Sequence, residues 1–432
     1  MRIHSSHTRE AAWYSSVNCS ACLLAVLLLA NVFNYMDRSL IGTLADPIGR
    51  DLRISDTELG IIGGLAFMLV YTVAALFLAR WADRGRARAV ILSSIVVWSL
   101  MTTLCAFASG FLSLIAARIG MALGEAGLVP AAQALLARRF SPAQLGAVLA
   151  AFWVGTSLGD ALGPVAGGLL NDATGWRTTF LILGPVGLLS VPLIALVIRD
   201  DAVCGELQGS SAEAGPVTAA IRTLWSIRSY RLIWLGAALA LTAPAAYGFY
   251  VVPFLMRAHQ VSSGEAGAWL GPAIAIAGMV GTPTGGLLFD RLTRVSVRMG
   301  LLIPTLMPVC SAGFALLAWH AASWRATTVW YALAVFCHML IVGPMYATVL
   351  RISPSSMRAL SAALFNMGMT LLGGVIGPLL AGSFSDIASA RWGPRSLTPA
   401  LSLMALFQLG AGVAFGRAAW VLGRTPGRRN AD

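Results

Sequence analysis

Twelve runs of predominantly apolar residues, each close to the ~20 needed to cross the hydrocarbon core of a bilayer, dominate this 432-residue chain. The first lies near residues 20–44 and the last near 398–422. Hydrophobic residues make up 57% of the sequence and charged ones 11%, too little polar surface to clothe a soluble globule of this size. Lipid offers no water to backbone amides, so each run must satisfy its own N–H and C=O groups as a helix. Gly and Pro recur inside the runs and are tolerated there because neighbouring helices re-satisfy the backbone. The expectation is an all-α membrane protein with twelve transmembrane helices.

A net charge of +12 would suit nucleic acid if it were gathered in one soluble domain. It is not. With both termini cytoplasmic, twenty-one arginines fall in the inner segments and seven in the outer ones, a positive-inside bias that sets orientation and is consistent with an even number of spans. The nucleic-acid reading drops out. All thirty basic residues are Arg and none is Lys. Residues 1–18 are polar and the first apolar run is long enough to stay as a span, so no cleaved signal is expected. The expected location is the bacterial inner membrane. Six cysteines, mostly in or beside spans, show no disulfide framework, and Cys19-x-x-Cys22 lacks the strand–helix context of a redox pair.

Two short patterns occur twice in the same order. Ala79-Arg80-Trp81-Ala82-Asp83-Arg84 is matched by Gly286-Leu287-Leu288-Phe289-Asp290-Arg291, with 207 residues between Asp83 and Asp290. Gly163-Pro164-x-x-Gly167-Gly168 is matched by Gly377-Pro378-x-x-Ala381-Gly382, 214 residues later. The one long polar break, 199–229, collects Asp200, Asp201, Glu206, Glu213, Gly and Pro, and its Thr218–Arg228 end suits a short interfacial helix. The expected layout is a cytoplasmic segment 1–18, a six-helix bundle 19–198, a cytoplasmic linker 199–229, a second bundle 230–422 and a cytoplasmic tail 423–432. Two homologous apolar halves imply pseudo-symmetric bundles with a site between them, the arrangement of a transporter.

Within that frame, Asp83, Arg84, Asp290 and Arg291 sit in equivalent inner loops, where carboxylates facing Arg and helix ends can latch two bundles. Gly155, Gly159, Gly163, Pro164, Gly167 and Gly168, with Gly377 and Pro378, form small-residue faces that let helices pack closely. The chemistry lies in the ionisable residues inside spans, which burial makes expensive unless they have partners or a wet cavity. Asp37 and Arg38 follow Asn34 and Tyr35 in the first span. Arg118 and Glu125 are seven residues apart in the fourth, about 10.5 Å of rise and nearly two turns, hence on one face. A shape change that moves Arg relative to Glu125 or Asp37 alters proton affinity, so the set is suited to coupling protons to motion; a static ion pair is the alternative. Asp160 is a further intramembrane carboxylate, as suited to packing or water binding as to coupling. Trp153, Tyr247, Tyr250, Tyr346 and His338 are candidate cavity residues, although aromatics in membranes more often pack or mark interfaces.

The duplicated Gly/Ala-x-x-x-Asp-Arg loops and Gly-Pro-x-x-Gly-Gly helices resemble the major facilitator superfamily over nearly the whole chain. Asn34-Tyr35-Met36-Asp37-Arg38, Ser55-Asp56-Thr57-Glu58-Leu59-Gly60 and Arg118 through Gly124-Glu125-Ala126-Gly127 are similar to its Spinster-like branch, the Gly-Glu-Ala element tipping the choice over organic-anion symporters. The resemblance implies the major facilitator fold and a monomeric, proton-coupled carrier of lysophospholipid- or sphingolipid-like amphiphiles, with Asp37, Arg38, Arg118 and Glu125 as the coupling and headgroup set and no cofactor or metal. Ala79 and Gly85-Arg86-Ala87 depart from the usual loop pattern, and Asp160 replaces what is more often a small polar residue.

Alternatives of the same architecture are an organic-anion/proton symporter or a drug exporter. A ligand sensor that moves nothing is a different class, and it would need a signalling domain. A membrane hydrolase lacks any His-Glu-x-x-His segment or spaced bases.

Overall fold

The computed structural model describes residues 4–198, 217–354 and 357–424. The polar stretch 199–216 of the expected linker, the first three residues and the last eight of the tail lie outside the described residues. The first half comprises α1 (His4–Thr43), α2 (Ala45–Leu52), α3 (Asp56–Gly60), α4 (Phe67–Trp81), α5 (Ala87–Cys105), α6 (Phe111–Glu125), α7 (Leu128–Arg139), α8 (Pro142–Thr174) and α9 (Trp176–Val197). The short α10 (Val217–Ser226) falls where the sequence suits an interfacial helix, and its Leu224 is buried against the second half. That half comprises α11 (Arg228–His259), α12 (Ser263–Val295), α13 (Val297–Gly300), α14 (Leu302–Trp319), α15 (Trp324–Ile352), α16 (Arg358–Gly368), α17 (Val375–Trp392) and α18 (Leu397–Arg424).

Among the described residues, eleven continuous helical stretches are long and apolar enough to span a bilayer. One of them, Asp56–Cys105, is 50 residues long. At 1.5 Å per residue it would reach about 75 Å, more than twice a hydrocarbon core of about 30 Å. It breaks where Arg84 (ψ 17) and Gly85 (φ 83, ψ 7) leave helical geometry. Gly85 supplies a positive φ that a side chain would resist, and the chain reverses there, so two spans are made from one stretch and the total is twelve. Short π-helical turns, Ile61–Ala66 and Met369–Gly374, lead into α4 and α17.

Hydrophobic burial is distributed asymmetrically along the bundle. At the end that carries the α1–α2 junction, one continuous cluster joins both halves, with Leu40, Ile48 and Leu59 packed together with Tyr247, Phe254 and Trp319. Toward the linker end there are two clusters instead, one in each half, around Phe67, Trp98 and Phe152 and around Tyr230, Phe289 and Phe415. The halves are fused at one end and parted at the other. Leu76, Phe77, Leu189 and Ile387 are at least 60% exposed, an arrangement stable only against lipid tails.

Candidate functional site

Asn34, Asp37 and Arg38 fall on one side of α1 because three and four residues make one helical turn, a side from which Asp37 reaches α5 and Arg38 reaches α6. Arg38 crosses to α6 and donates from Nε (3.1 Å) and Nη2 (3.0 Å) to a single oxygen, Oε2 of Glu125. Its guanidinium also lies 4.7 Å from the Tyr35 ring centre, 5.1 Å from Phe67 and 4.6 Å from Tyr71. Aromatic faces of this kind stabilise a desolvated cation without adding a competing anion.

Arg118 and Glu125 are both fully buried, as seven-residue spacing on one face requires, yet they do not pair. Glu125 is taken by Arg38, whereas Arg118 donates to Met121 Sδ (2.9 Å) and stacks 4.6 Å from Phe67. Glu125 is thus bonded between helices, to Arg38 of α1, and not along α6 to Arg118. Phe67 thus touches both guanidinium groups. Asp37 is 1% exposed and accepts from Thr102 at a long 3.4 Å. Asp37 Oδ1, Glu125 Oε1, Arg118 Nε and both polar atoms of Asn34 are buried with no hydrogen-bond partner. Buried polar atoms are nearly always satisfied, so such a concentration of unsatisfied ones sets this cluster apart from the rest of the core.

Beside this cluster lies a cavity of about 390 Å³ between the halves. Its wall from the first half carries the polar groups Tyr35, Arg38, Ser39, Thr43 and Asp160; the wall from the second is mainly apolar, with Leu241, Val251, Leu270, Ile274, Val335 and Met339 beside Tyr247, Tyr331 and His338. Arg38 alone connects cavity and cluster: Asp37, Arg118 and Glu125 sit behind it. Of the other sequence candidates, Asn34 is buried behind the wall, Trp153 is 40% exposed and packs edge-on to Phe152, and Tyr346 bonds Asn366. None of these three lines the cavity, and nor does Tyr250, whose hydroxyl donates to the Asp56 carbonyl at 2.6 Å.

The closed end is held by residues that the sequence reading assigned no role. Arg257 of α11 forks onto Asp56 (Nη1 to Oδ2, 2.7 Å; Nη2 to Oδ1, 2.8 Å) and donates from Nε to Asp46 Oδ1 at 2.5 Å. Asp386 of α17 accepts from the Asp56 and Thr57 amides at 3.0 and 2.8 Å. These are first-turn N–H groups of α3, which a helix cannot satisfy internally; Ser55 Oγ takes the Glu58 amide at 3.2 Å and the opposite half supplies the rest. Asp172 of α8 likewise accepts from Ser263 Oγ (2.7 Å) and the Gly264 amide (2.9 Å). Nearby, Asp51 and Arg177 form an exposed pair within the first half, and Arg177 lowers the Asp51 carboxyl from its ordinary range.

At the linker end the duplicated loops are apart. Asp83, Arg84, Asp290 and Arg291 are exposed, and among the described residues no hydrogen bond or ion pair joins the two halves there; Arg138 donates to the Asp83 carbonyl within one half at 3.0 Å. The Gly-Pro motifs, by contrast, sit on the seam. A Cβ at Gly60 would come within 2.5 Å of the Pro378 carbonyl, and one at Gly267 would strike the Pro164 carbonyl. Gly159 and Gly167 face α1, where a Cβ would fall 2.5 Å from Val32 O and from Leu40 Cδ2, Gly163 packs on Ser39, and Gly168 and Gly377 meet backbone of the second half at Ser263 and Thr242. Each proline-kinked helix therefore presses a carbonyl onto a bare glycine of the opposite half.

The Major Facilitator Superfamily model matches residues 27–378. The chain is 33% identical over 385 residues to an MFS-type efflux pump of Mycolicibacterium smegmatis, covering 88% of each chain. It is 27% identical over 426 residues to Protein spinster homolog 1 of Bos taurus (92% of this chain, 80% of that one) and 26% identical over 424 residues to a gentisate transporter of Corynebacterium glutamicum (94% and 92%). Among solved structures, a bacterial homologue of the human lysosomal transporter Spinster, inward-facing and unoccupied, superposes with a TM-score of 0.84 at 22% identity, covering 95% of this chain and 99% of that one. That likeness is one of fold.

Proposed function

From the premise that the chain belongs to the major facilitator superfamily, and within it to the Spinster-like branch, we propose that it is a proton-coupled secondary transporter that moves a lysophospholipid-like amphiphile by alternating access. It is a multi-pass membrane protein. In this reading it lies in a bacterial inner membrane with both termini cytoplasmic, works as a monomer, and has the linker end facing the cytoplasm, so the cavity is open inward and Arg257 closes the outside.

The observation that carries the proposal is the Arg38–Glu125 bond with a bare Glu125 Oε1 behind it. Arg38 is the one side chain shared by the cavity wall and the buried acids. A proton on Glu125 removes the charge that holds Arg38 and frees the guanidinium for an anionic group in the cavity; departure of that group restores the bond and expels the proton. Arg118 and Asp37 form the remaining charged backdrop, and Phe67, in contact with both guanidinium groups, transmits movement of one to the other. The apolar wall of the second half suits an alkyl or aromatic body. Asp83, Arg84, Asp290 and Arg291 belong to the opposite state, where the linker end closes.

One observation favours an organic-anion symporter as the second reading: a freed Arg38 can fork onto a carboxylate without any need of a tail. The test is uptake of radiolabelled lysophosphatidylcholine into proteoliposomes under an imposed pH gradient. Accumulation that a protonophore abolishes supports the proposal; uptake indifferent to the gradient rejects the coupling, and gradient-driven uptake of benzoate but not of the lysolipid selects the second reading.

A further inference from the structure

Asp160 differs from the other intramembrane acids. It lines the cavity itself, and among the described residues its carboxylate forms no hydrogen bond and no ion pair. The cation nearest in the wall, Arg38, is committed to Glu125. The backbone beside it is also short of a donor. Pro164 stands four residues on in α8 and has no N–H, so the Asp160 carbonyl lacks its helical donor. Pro164 lines the cavity too. Across the space, the second half contributes Tyr247 and Tyr331, and Tyr35 lies on the α1 side. Their rings offer negative faces to a cation, in a cavity that aliphatic side chains such as Leu241, Val251 and Ile274 line together with Ser39, Thr43 and His338.

A carboxylate without a donor, in a chamber with several aromatic and aliphatic walls, is the complement of a cationic nitrogen carried on an apolar body. An anion would meet the wrong charge at Asp160. We propose that Asp160 is the substrate-recognition residue for a positively charged, amine-type group, which makes the substrate a lipophilic cation or the cationic end of a zwitterion. This rests on the carrier reading above and narrows its substrate: the group that Arg38 receives and the group that Asp160 receives are opposite in charge and are bound by different parts of the same wall. The site needs no proton movement to operate.

The test is equilibrium binding to the full-length protein in nanodiscs, with empty discs as background and no gradient present. The probes are radiolabelled tetraphenylphosphonium and tetraphenylborate, a cation and an anion of matched shape. Wild-type protein is expected to bind the cation saturably and the borate no better than empty discs. Asp160→Asn should weaken cation binding roughly 10- to 100-fold, the loss of a charge-assisted contact in a partly wet cavity. Asp160→Glu should retain most of it, and Asp160→Ser gives a second neutral replacement should the Asn variant not fold. Cation binding unchanged in folded Asn or Ser variants overturns the proposal, as does wild-type preference for the borate. Because nothing is transported, a carrier that proves not to be proton-coupled would still show this selectivity, whereas a coupled carrier lacking it would fail here alone.

Discussion

Replacing Arg257 by Gln should open the end of the bundle that is closed in this structure. Arg257 makes three charge-assisted hydrogen bonds, all of them to acids of the other half, and its side chain is only 17% exposed. Its partners Asp46 and Asp56 are 1% and 7% exposed. Removing one member of a buried pair typically costs 3–5 kcal/mol, about the penalty of an uncompensated buried charge. Here the lower part of that range applies, because Asp46 keeps Arg50 at 2.8 Å and Asp56 keeps Ser385 Oγ at 2.6 Å. Opening hydrates both carboxylates and relieves the penalty, so about 3 kcal/mol is transferred to the conformational equilibrium, a shift of roughly 100-fold toward the state open at this end. Spin labels at Ser109 and Ala322, exposed positions in the two halves at this end, report the separation by double electron–electron resonance on a cysteine-free background. The Gln variant should populate longer distances than wild type, and Arg257→Lys should fall between them because it keeps the charge and loses the fork. An unchanged distance distribution in the Gln variant would refute the reasoning.

The seam and the loops give further predictions. Gly267→Val places side-chain atoms against the Pro164 carbonyl, so it should disfavour this conformer by about 1–3 kcal/mol, seen as a shifted label distance in the same measurement. Gly60→Val, against the Pro378 carbonyl, should act in the same direction. Asp83→Asn and Asp290→Asn should change thermal stability by less than about 0.5 kcal/mol, since both side chains are exposed here, yet slow transport; unaltered flux in both variants would remove them from the gate. Phe67→Leu, which removes the ring between Arg38 and Arg118, should weaken the dependence of flux on pH while leaving the protein folded, checked by flux against pH and by melting temperature.

The span pattern, the duplication and the positions of the intramembrane charges were all legible in the sequence, because apolar length and the cost of burying charge are properties of single segments. Pairing was not. Seven-residue spacing correctly put Arg118 and Glu125 on one face of a helix, but which cation reaches Glu125 is decided by the neighbouring α1 and by Phe67 and Met121 filling the space around Arg118. Arg257, Asp46 and Asp56 stand at helix ends, where charges ordinarily mark topology, and only the meeting of the halves turns them, with Asp386, into a latch. Gly60 and Gly267 belong to no duplicated motif; their role appears once Pro378 and Pro164 are set against them. The same holds for the cavity: Asp160 and Tyr247 share it, while Tyr250, one turn on from Tyr247, is carried into the latch.

The central claim is that Glu125 holds the coupling proton, and the decisive comparison is between exchange and accumulation in one variant. Proteoliposomes bearing Glu125→Gln, loaded with unlabelled lysophosphatidylcholine and diluted into labelled lysolipid, should still exchange label across the membrane, but should fail to accumulate it under a pH gradient that drives wild-type protein. Accumulation equal to wild type in the Gln variant would contradict the account.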